Sequence, residues 1–343
     1  MNAKKLQPRI NLKPIVRSKL FTISLVMISM IVIASLVSQY FLTPYNLQSL
    51  VRDLSFIGII TILQSCLLIM GELDLSVGKI AALCGILSGV LMVHSKVNPI
   101  AAIALCIMLG ALFGAINGLI ITKLNLSAMI VTIGMTGVYG GINVVLTQGR
   151  AITGIPKSIH FLGAGSVFGF PVPFLFLLLI LIGVMYMMKN TRLGRYIYAI
   201  GNNREAAKII GIQTDKIRII VFSLMGAFAA FTGLLMVTRL GTAQPSIGDT
   251  WPLNSIAASV IGGVLLTGGD GSPIGALIGA TIISLIQNMI VLFGIGIYWQ
   301  AIVSGLVVVI SISIDPLVKI VKEYQKRKSK LKKGAVPSSA SNT

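Results

Sequence analysis

Stretches of roughly 18 or more residues with almost no charge recur along this chain from Phe21 to Ile314. No other feature restricts its fold so far. Inside a bilayer no water satisfies backbone N–H and C=O groups, so such stretches cross as helices of about 20 residues. On that ruler ten spans fit, at 20–41, 48–70, 74–94, 98–121, 128–146, 172–188, 217–237, 253–267, 273–293 and 297–314. The expectation is an all-α, polytopic membrane protein with about ten transmembrane helices. Composition agrees. Of 343 residues, 55% are hydrophobic and only 11% charged, too few charges to cover a water-soluble globule of this length.

The formal charge of +19 invites a nucleic-acid reading, which the distribution of the charges excludes. Lys4, Lys5, Arg9, Lys13, Arg17 and Lys19 precede the first span. Lys189, Arg192, Arg195, Arg204, Lys208, Lys216 and Arg218 surround a middle loop, and Lys319, Lys322, Lys326, Arg327, Lys328, Lys330, Lys332 and Lys333 follow the last span. Clusters beside apolar spans are topology signals for the cytoplasmic face, with some attraction to anionic membrane lipid. A nucleic-acid surface would interleave aromatics, and these segments offer little beyond Tyr196, Tyr198 and Tyr324. The outer loops, near 42–47, 95–97, 147–171, 238–252 and 294–296, carry only Lys96, Arg150, Lys157 and Arg239. Both termini are thus expected in the cytoplasm. The chain divides into a basic N-terminal segment, 1–19, a transmembrane domain, 20–316, containing the cytoplasmic loop 189–216, and a basic, partly disordered tail, 317–343.

Reactive constellations are missing from the pattern. Cys66, Cys84 and Cys106 sit inside apolar spans without ligand spacing, and His94 and His160 stand alone. The Gly-rich segment Gly268–Pro273 lacks G-x4-G-K-[ST], so no ATP-binding loop is expected in this chain, nor any enzyme chemistry. Residues 21–40 are too long for the core of a cleavable signal and lack its small-residue cleavage site. Small residues recur four apart inside spans, at Gly110, Gly114 and Gly118, at Gly137 and Gly141, and at Gly271, Gly275 and Gly279. Lipid supplies no hydrophobic drive between helices, so close backbone approach at such residues is expected to provide the packing.

The middle loop reads Gly201-Asn202-Asn203-Arg204-Glu205-Ala206-Ala207-Lys208-Ile209-Ile210-Gly211. Asn202 as N-cap, Glu205 as its partner three residues later and Gly211 as the stop predict a helix of about two turns. Ala206, Ile209 and Ile210 would form its apolar stripe, fitted either to a groove in a partner or to the lipid headgroups.

Glu205-Ala206-Ala207, then Gly211 after three residues, resembles the EAA-x3-G loop of ABC importer permeases. Where that family continues with I-x-L-P, this chain has Val221-Phe222-Ser223-Leu224, without the proline. Gly71-Glu72-Leu73-Asp74-Leu75-Ser76-Val77-Gly78 is similar to the G-[GE]-[IL]-D-L-S-V-G signature of the ribose/xylose/galactoside branch. Gly114-Ala115-Ile116-Asn117-Gly118, Gly201-Asn202, Ala243-Gln244-Pro245, the run Leu253-Asn254-Ser255-Ile256-Ala257-Ala258-Ser259-Val260-Ile261-Gly262-Gly263, and Gly268-Gly269-Asp270-Gly271 follow in the same order, so the resemblance covers about residues 20–316.

The resemblance implies the membrane subunit of an ATP-driven, binding-protein-dependent importer of a sugar or sugar-like solute, in a bacterial plasma (inner) membrane. It implies separate ABC ATPase subunits that hold ATP-Mg, an extracytoplasmic sugar-binding protein near 147–171 and 238–252, and a second permease copy or paralogue. No cofactor or nucleic acid is implied for this chain. Coupling to the ATPase would fall to Asn202, Asn203, Arg204, Glu205, Ala206, Ala207, Ile209, Ile210 and Gly211; Asp74, Ser76, Asn117 and Gln244 mark the signature or the path. Asp74 has a second reading as the cap that opens the third span, and Asp270 as a cap or turn residue. Asn117, Asn143, Gln287 and Asn288 are read as helix bridges or as contacts to a sugar hydroxyl. Glu72 is expected to reach the inner interface. An ion-gradient-driven secondary transporter, with spans broken at Gly71–Gly78 and Gly268–Pro273, is the competing reading, although the spans hold few titratable groups. A non-transporting membrane scaffold is a third.

Overall fold

A computed structural model of the chain describes residues 19–296 and scattered positions between 299 and 313. The basic segments 1–18 and 317–343 and most of the expected span 297–314 lie outside the described residues. The described helices are α1 (Lys19–Val37), α2 (Pro44–Ile69), α3 (Val77–Gly89, continued by a π-helical turn over Val90–His94), α4 (Pro99–Lys123), α5 (Ala128–Thr147), α6 (His160–Ala164), α7 (Val172–Asn190), α8 (Arg192–Asn202), α9 (Arg204–Ile209), α10 (Thr214–Leu240), α11 (Trp251–Ile261) and α12 (Pro273–Leu292). Eight of them are long and apolar enough to cross a membrane: α1, α2, α3 with its π turn, α4, α5, α7, α10 and α12. Several starts follow directly from the sequence. Thr43 and Asn98 accept the N–H groups of Asn46 and Ile100, while Pro44, Pro99 and Pro273 occupy first positions where a missing N–H costs nothing.

The expected span 253–267 needs correction. Only Trp251–Ile261 is helical there, and the chain continues irregularly to Ser272 through Gly263, Gly268, Gly269 and Gly271, all at positive φ. An apolar run sets hydropathy, but consecutive glycines forfeit the helix, and the freed backbone groups are buried in protein instead. Gly269 N–H, for instance, donates to Ile69 O at 2.8 Å.

The centre of the bundle is α2, buried without interruption from Leu54 to Ile69, with α3, α10 and α11 around it. The packing of α4 against α10 realises the small-residue expectation, since a Cβ on Gly114 would lie 2.1 Å from Phe222 O. Gly275 and Gly279 approach α11 in the same way. Gly137 and Gly141 do not: no atom of the described residues lies within 4 Å of a Cβ built there, so that face of α5 is open. The outer loop 147–171 is folded onto the bundle. Its strand β1 (Ile152–Thr153) pairs antiparallel with β4 (Thr242–Ala243), β2 (Ser166–Val167) pairs with β3 (Phe170–Pro171), and Gly163 of α6 lies against Leu235 O of α10.

Candidate functional site

Two irregular segments, 70–76 and 241–250, and the loop between α8 and α10 bring the chemistry-bearing residues together. The loop comes first. Its helix α9 is capped by Asn203, whose extended backbone (φ −160°, ψ 105°) lets its Oδ1 accept from Ala206 N–H at 2.9 Å. The expected cap at Asn202 is therefore displaced by one residue. Gly201 is pressed so close to Ile69 O that a Cβ would sit 1.9 Å away, and Asn202 Nδ2 donates to Tyr198 O at 2.9 Å. These contacts hold α8 helical through Asn202, and the chain can turn only at Asn203. Glu205 is then not the third helical residue and closes no capping box; its Oε1 pairs with Lys208 Nζ at 3.3 Å.

The far end of α9 follows the expectation. Gly211 N–H donates to Lys208 O and Ile212 N–H to Ala207 O, both at 3.0 Å, with Gly211 at φ 86°. This double closure needs the left-handed conformation that glycine adopts freely. Ala207 is buried against the body of the protein, whereas Ile209 and Ile210 are 85% and 75% exposed. Arg204 and Ala206 belong to the same short helix, and Ala206 faces outward with the isoleucines.

A line of charges leads inward from this helix. Arg204 Nη2 lies 3.3 Å from Asp215 Oδ1, Asp215 Oδ1 lies 4.0 Å from Arg218 Nη1, and Arg218 Nη2 lies 2.5 Å from Glu72 Oε1. Arg218, read from sequence as a surface topology signal, is only 2% exposed. The Glu72 side chain turns in towards it and is itself only 11% exposed. Burial pushes the Glu72 carboxyl above its ordinary range, and the Arg218 charge offsets part of that rise. Removing one partner of such a pair leaves a buried charge uncompensated, at about 3–5 kcal/mol.

Segment 70–76 carries the signature residues. Asp74 Oδ1 accepts from Ser76 N–H at 2.7 Å and from Ser76 Oγ at 2.6 Å; Asn117 Nδ2 donates to Ser76 Oγ at 2.8 Å. Tyr139 OH donates to Asn117 Oδ1 at 3.0 Å, and Asp74, Ser76 and Asn117 are all completely buried. Asp74 is therefore not the residue that caps α3; that place is taken by Ser76, and Asp74 holds the turn leading into it. Gln244 lies apart, just beyond β4, where its carbonyl accepts from Ile247 N–H. The carbonyl of Asp270 likewise closes a turn, accepting from Leu265 N–H.

The two irregular segments meet where α3 and α11 begin. A Cβ on Gly78 would lie 2.1 Å from Gly248 O, and Gly248 itself stands at φ 78°. Beside this contact Lys79 Nζ pairs with Asp249 Oδ1 at 2.6 Å, both side chains partly exposed in a cleft of about 260 Å³ shared with Thr136, Pro252 and Leu253. Sequence reasoning singled out neither charge. Lys79 directly follows the signature glycine in an otherwise apolar run, which was the available signal. Of the remaining amides, Asn46 and Asn288 exchange hydrogen bonds at 2.8 and 3.2 Å as a helix bridge, Asn143 Nδ2 donates to Lys79 O at 3.3 Å, and Gln287 lines a cavity at the other side of α11.

Comparison with known proteins adds to this geometry. The family model described as branched-chain amino acid transport system / permease component matches residues 46–312. The chain is 36% identical over 290 residues to the ribose import permease protein RbsC of Escherichia coli (strain K12), covering 83% of this chain and 90% of that one. It is 36% identical over 288 residues to the protein of that name in Bacillus subtilis (strain 168), with coverages of 83% and 89%. Against the autoinducer 2 import system permease protein LsrC of Escherichia coli O9:H4 (strain HS) identity is 28% over 326 residues, 95% of each chain. No solved structure matches.

Proposed function

Because this chain belongs to the family of branched-chain amino acid transport system permease components, on the branch of ribose and related simple-sugar ABC importers, we propose that α9 is the segment by which partner ATPases drive it. The chain is the multi-pass inner-membrane permease subunit of a binding-protein-dependent sugar importer. ATP-Mg is held and hydrolysed by the partner subunits, and the chain itself only opens and closes the path. It works beside a second permease, with an extracytoplasmic sugar-binding protein docking over the folded outer loop and segment 241–250.

The exposure of Ile209 and Ile210 on a helix firmly capped at both ends carries the coupling role. A six-residue helix has little stability of its own, so its caps and the buried Ala207 fix its shape for something else. Burying each isoleucine in a partner groove contributes about 1.5–3 kcal/mol. A push on α9 then reaches Glu72 through Arg204, Asp215 and Arg218, and through segment 70–76 the buried cluster of Asp74, Ser76 and Asn117. Replacing both isoleucines by Asp is expected to abolish ATPase co-purification and uptake while the chain still inserts. Wild-type uptake by the double variant contradicts the role of α9.

A further inference from the structure

We propose that the cavity enclosed by α2, the start of α11 and the end of α12 is a subsite for a neutral, polyhydroxylated solute entering from the outer side. The inference rests on the reading of the chain as a sugar-importer permease and adds a place and a recognition chemistry. The cavity measures about 550 Å³, within the range of small-molecule sites. Its walls carry Tyr40, Ser49, Trp251, Asn254, Ser284 and Gln287. Amides, hydroxyls and aromatic surface thus converge on one space.

Two of these side chains define the need for a ligand. Among the described residues Asn254 Oδ1 and Ser284 Oγ have no hydrogen-bond partner, and their residues are 2% and 3% exposed. Buried polar atoms at such depth are ordinarily paired, because an unmade bond costs the full desolvation of the group. The rest of the site is fixed in advance: the reciprocal Asn46–Asn288 amide pair ties α2 to α12, and Thr43 caps α2 at the mouth. The lining also selects against charge. Its one carboxylate, Asp53, is already paired with Arg239, whose guanidinium stacks 5.3 Å over the Phe56 ring. Amides and hydroxyls that donate and accept, beside the indole of Trp251, suit a sugar ring with its alternating hydroxyls and apolar faces.

The position of α11 gives the subsite a place in the path. Thr250, Trp251 and Asn254 face this cavity, whereas Asp249, Pro252 and Leu253 face the cleft closed by Lys79 and Asp249. The start of α11 thus lines both spaces, and on this proposal a tilt of α11 passes solute from one to the other.

The test uses the complete importer in vesicles and the sugar that the wild type accumulates best from a panel of pentoses, hexoses and furanosyl derivatives. Gln287→Cys is labelled from outside with a charged, membrane-impermeant methanethiosulfonate; the native Cys66, Cys84 and Cys106 are buried. Labelling is expected, and that sugar should slow it several-fold while its phosphate ester does not. Asn254→Leu should raise the concentration for half-maximal uptake about tenfold, with ATPase co-purification unchanged. A cysteine that never reacts, one that sugar does not protect, or unaltered uptake by Asn254→Leu each overturns the subsite. Failure of the wild type to accumulate any sugar in the panel counts instead against the sugar-import reading.

Discussion

Arg218 illustrates how a single side chain changes meaning when its partner is far away in sequence. Read locally it is one more positive charge at a cytoplasmic loop; in the fold it is buried on Glu72, across the start of α10. The same distance hides Lys79 and Asp249, whose pairing spans 170 residues and leaves no local periodicity. Asp74, Ser76 and Asn117 were legible because polar residues in apolar spans must find partners, and three of them found each other, while Gln244 stayed apart. Glu72→Ala is expected to cost about 3–5 kcal/mol of stability by stranding Arg218. The double change Glu72→Leu with Arg218→Met should recover most of it yet leave uptake impaired, as measured by thermal unfolding in detergent and by transport. A double variant that transports normally removes this pair from the coupling line. Asp74→Ala should cost about 1–3 kcal/mol by releasing Ser76, and Asp74→Asn much less; equal losses would contradict its turn-holding role.

At the scale of elements, local chemistry wrote α9 almost completely into the sequence. Its composition, length and glycine stop were all readable; the cap moved and the expected Glu205 partner was lost with it, because the contacts of Gly201 with α2 and of Asn202 with the 268–271 turn are tertiary. The half-length α11 was not readable from hydropathy, since a ruler for apolar runs does not register where glycines end a helix. Gly211→Ala places a Cβ in a left-handed backbone and is expected to cost about 1 kcal/mol. Substrate-stimulated ATPase activity of the assembled importer should fall several-fold as the loosened helix transmits less. Unchanged stimulation would show that the closure at Gly211 is dispensable.

Across the whole molecule, hydrophobicity decides the class and charge decides the orientation, but neither supplies the machine's moving parts. What they leave out is where helices stop short, at the 70–76 and 241–250 segments and at α11, and the glycine face of α5 that no other described residue covers. The placement of both termini in the cytoplasm rests on the basic clusters alone, and protease digestion of tags at each end, from intact and everted vesicles, should cut both only in the everted ones. The central claim is that this polypeptide moves solute only when work arrives through α9 from a separate ATPase. Accumulation of labelled sugar is therefore to be measured in sealed vesicles containing the chain alone, then the chain with its ATPase, binding protein and ATP. No concentration of sugar should occur in the first and steady accumulation should occur in the second; uphill uptake by the chain alone would contradict the claim.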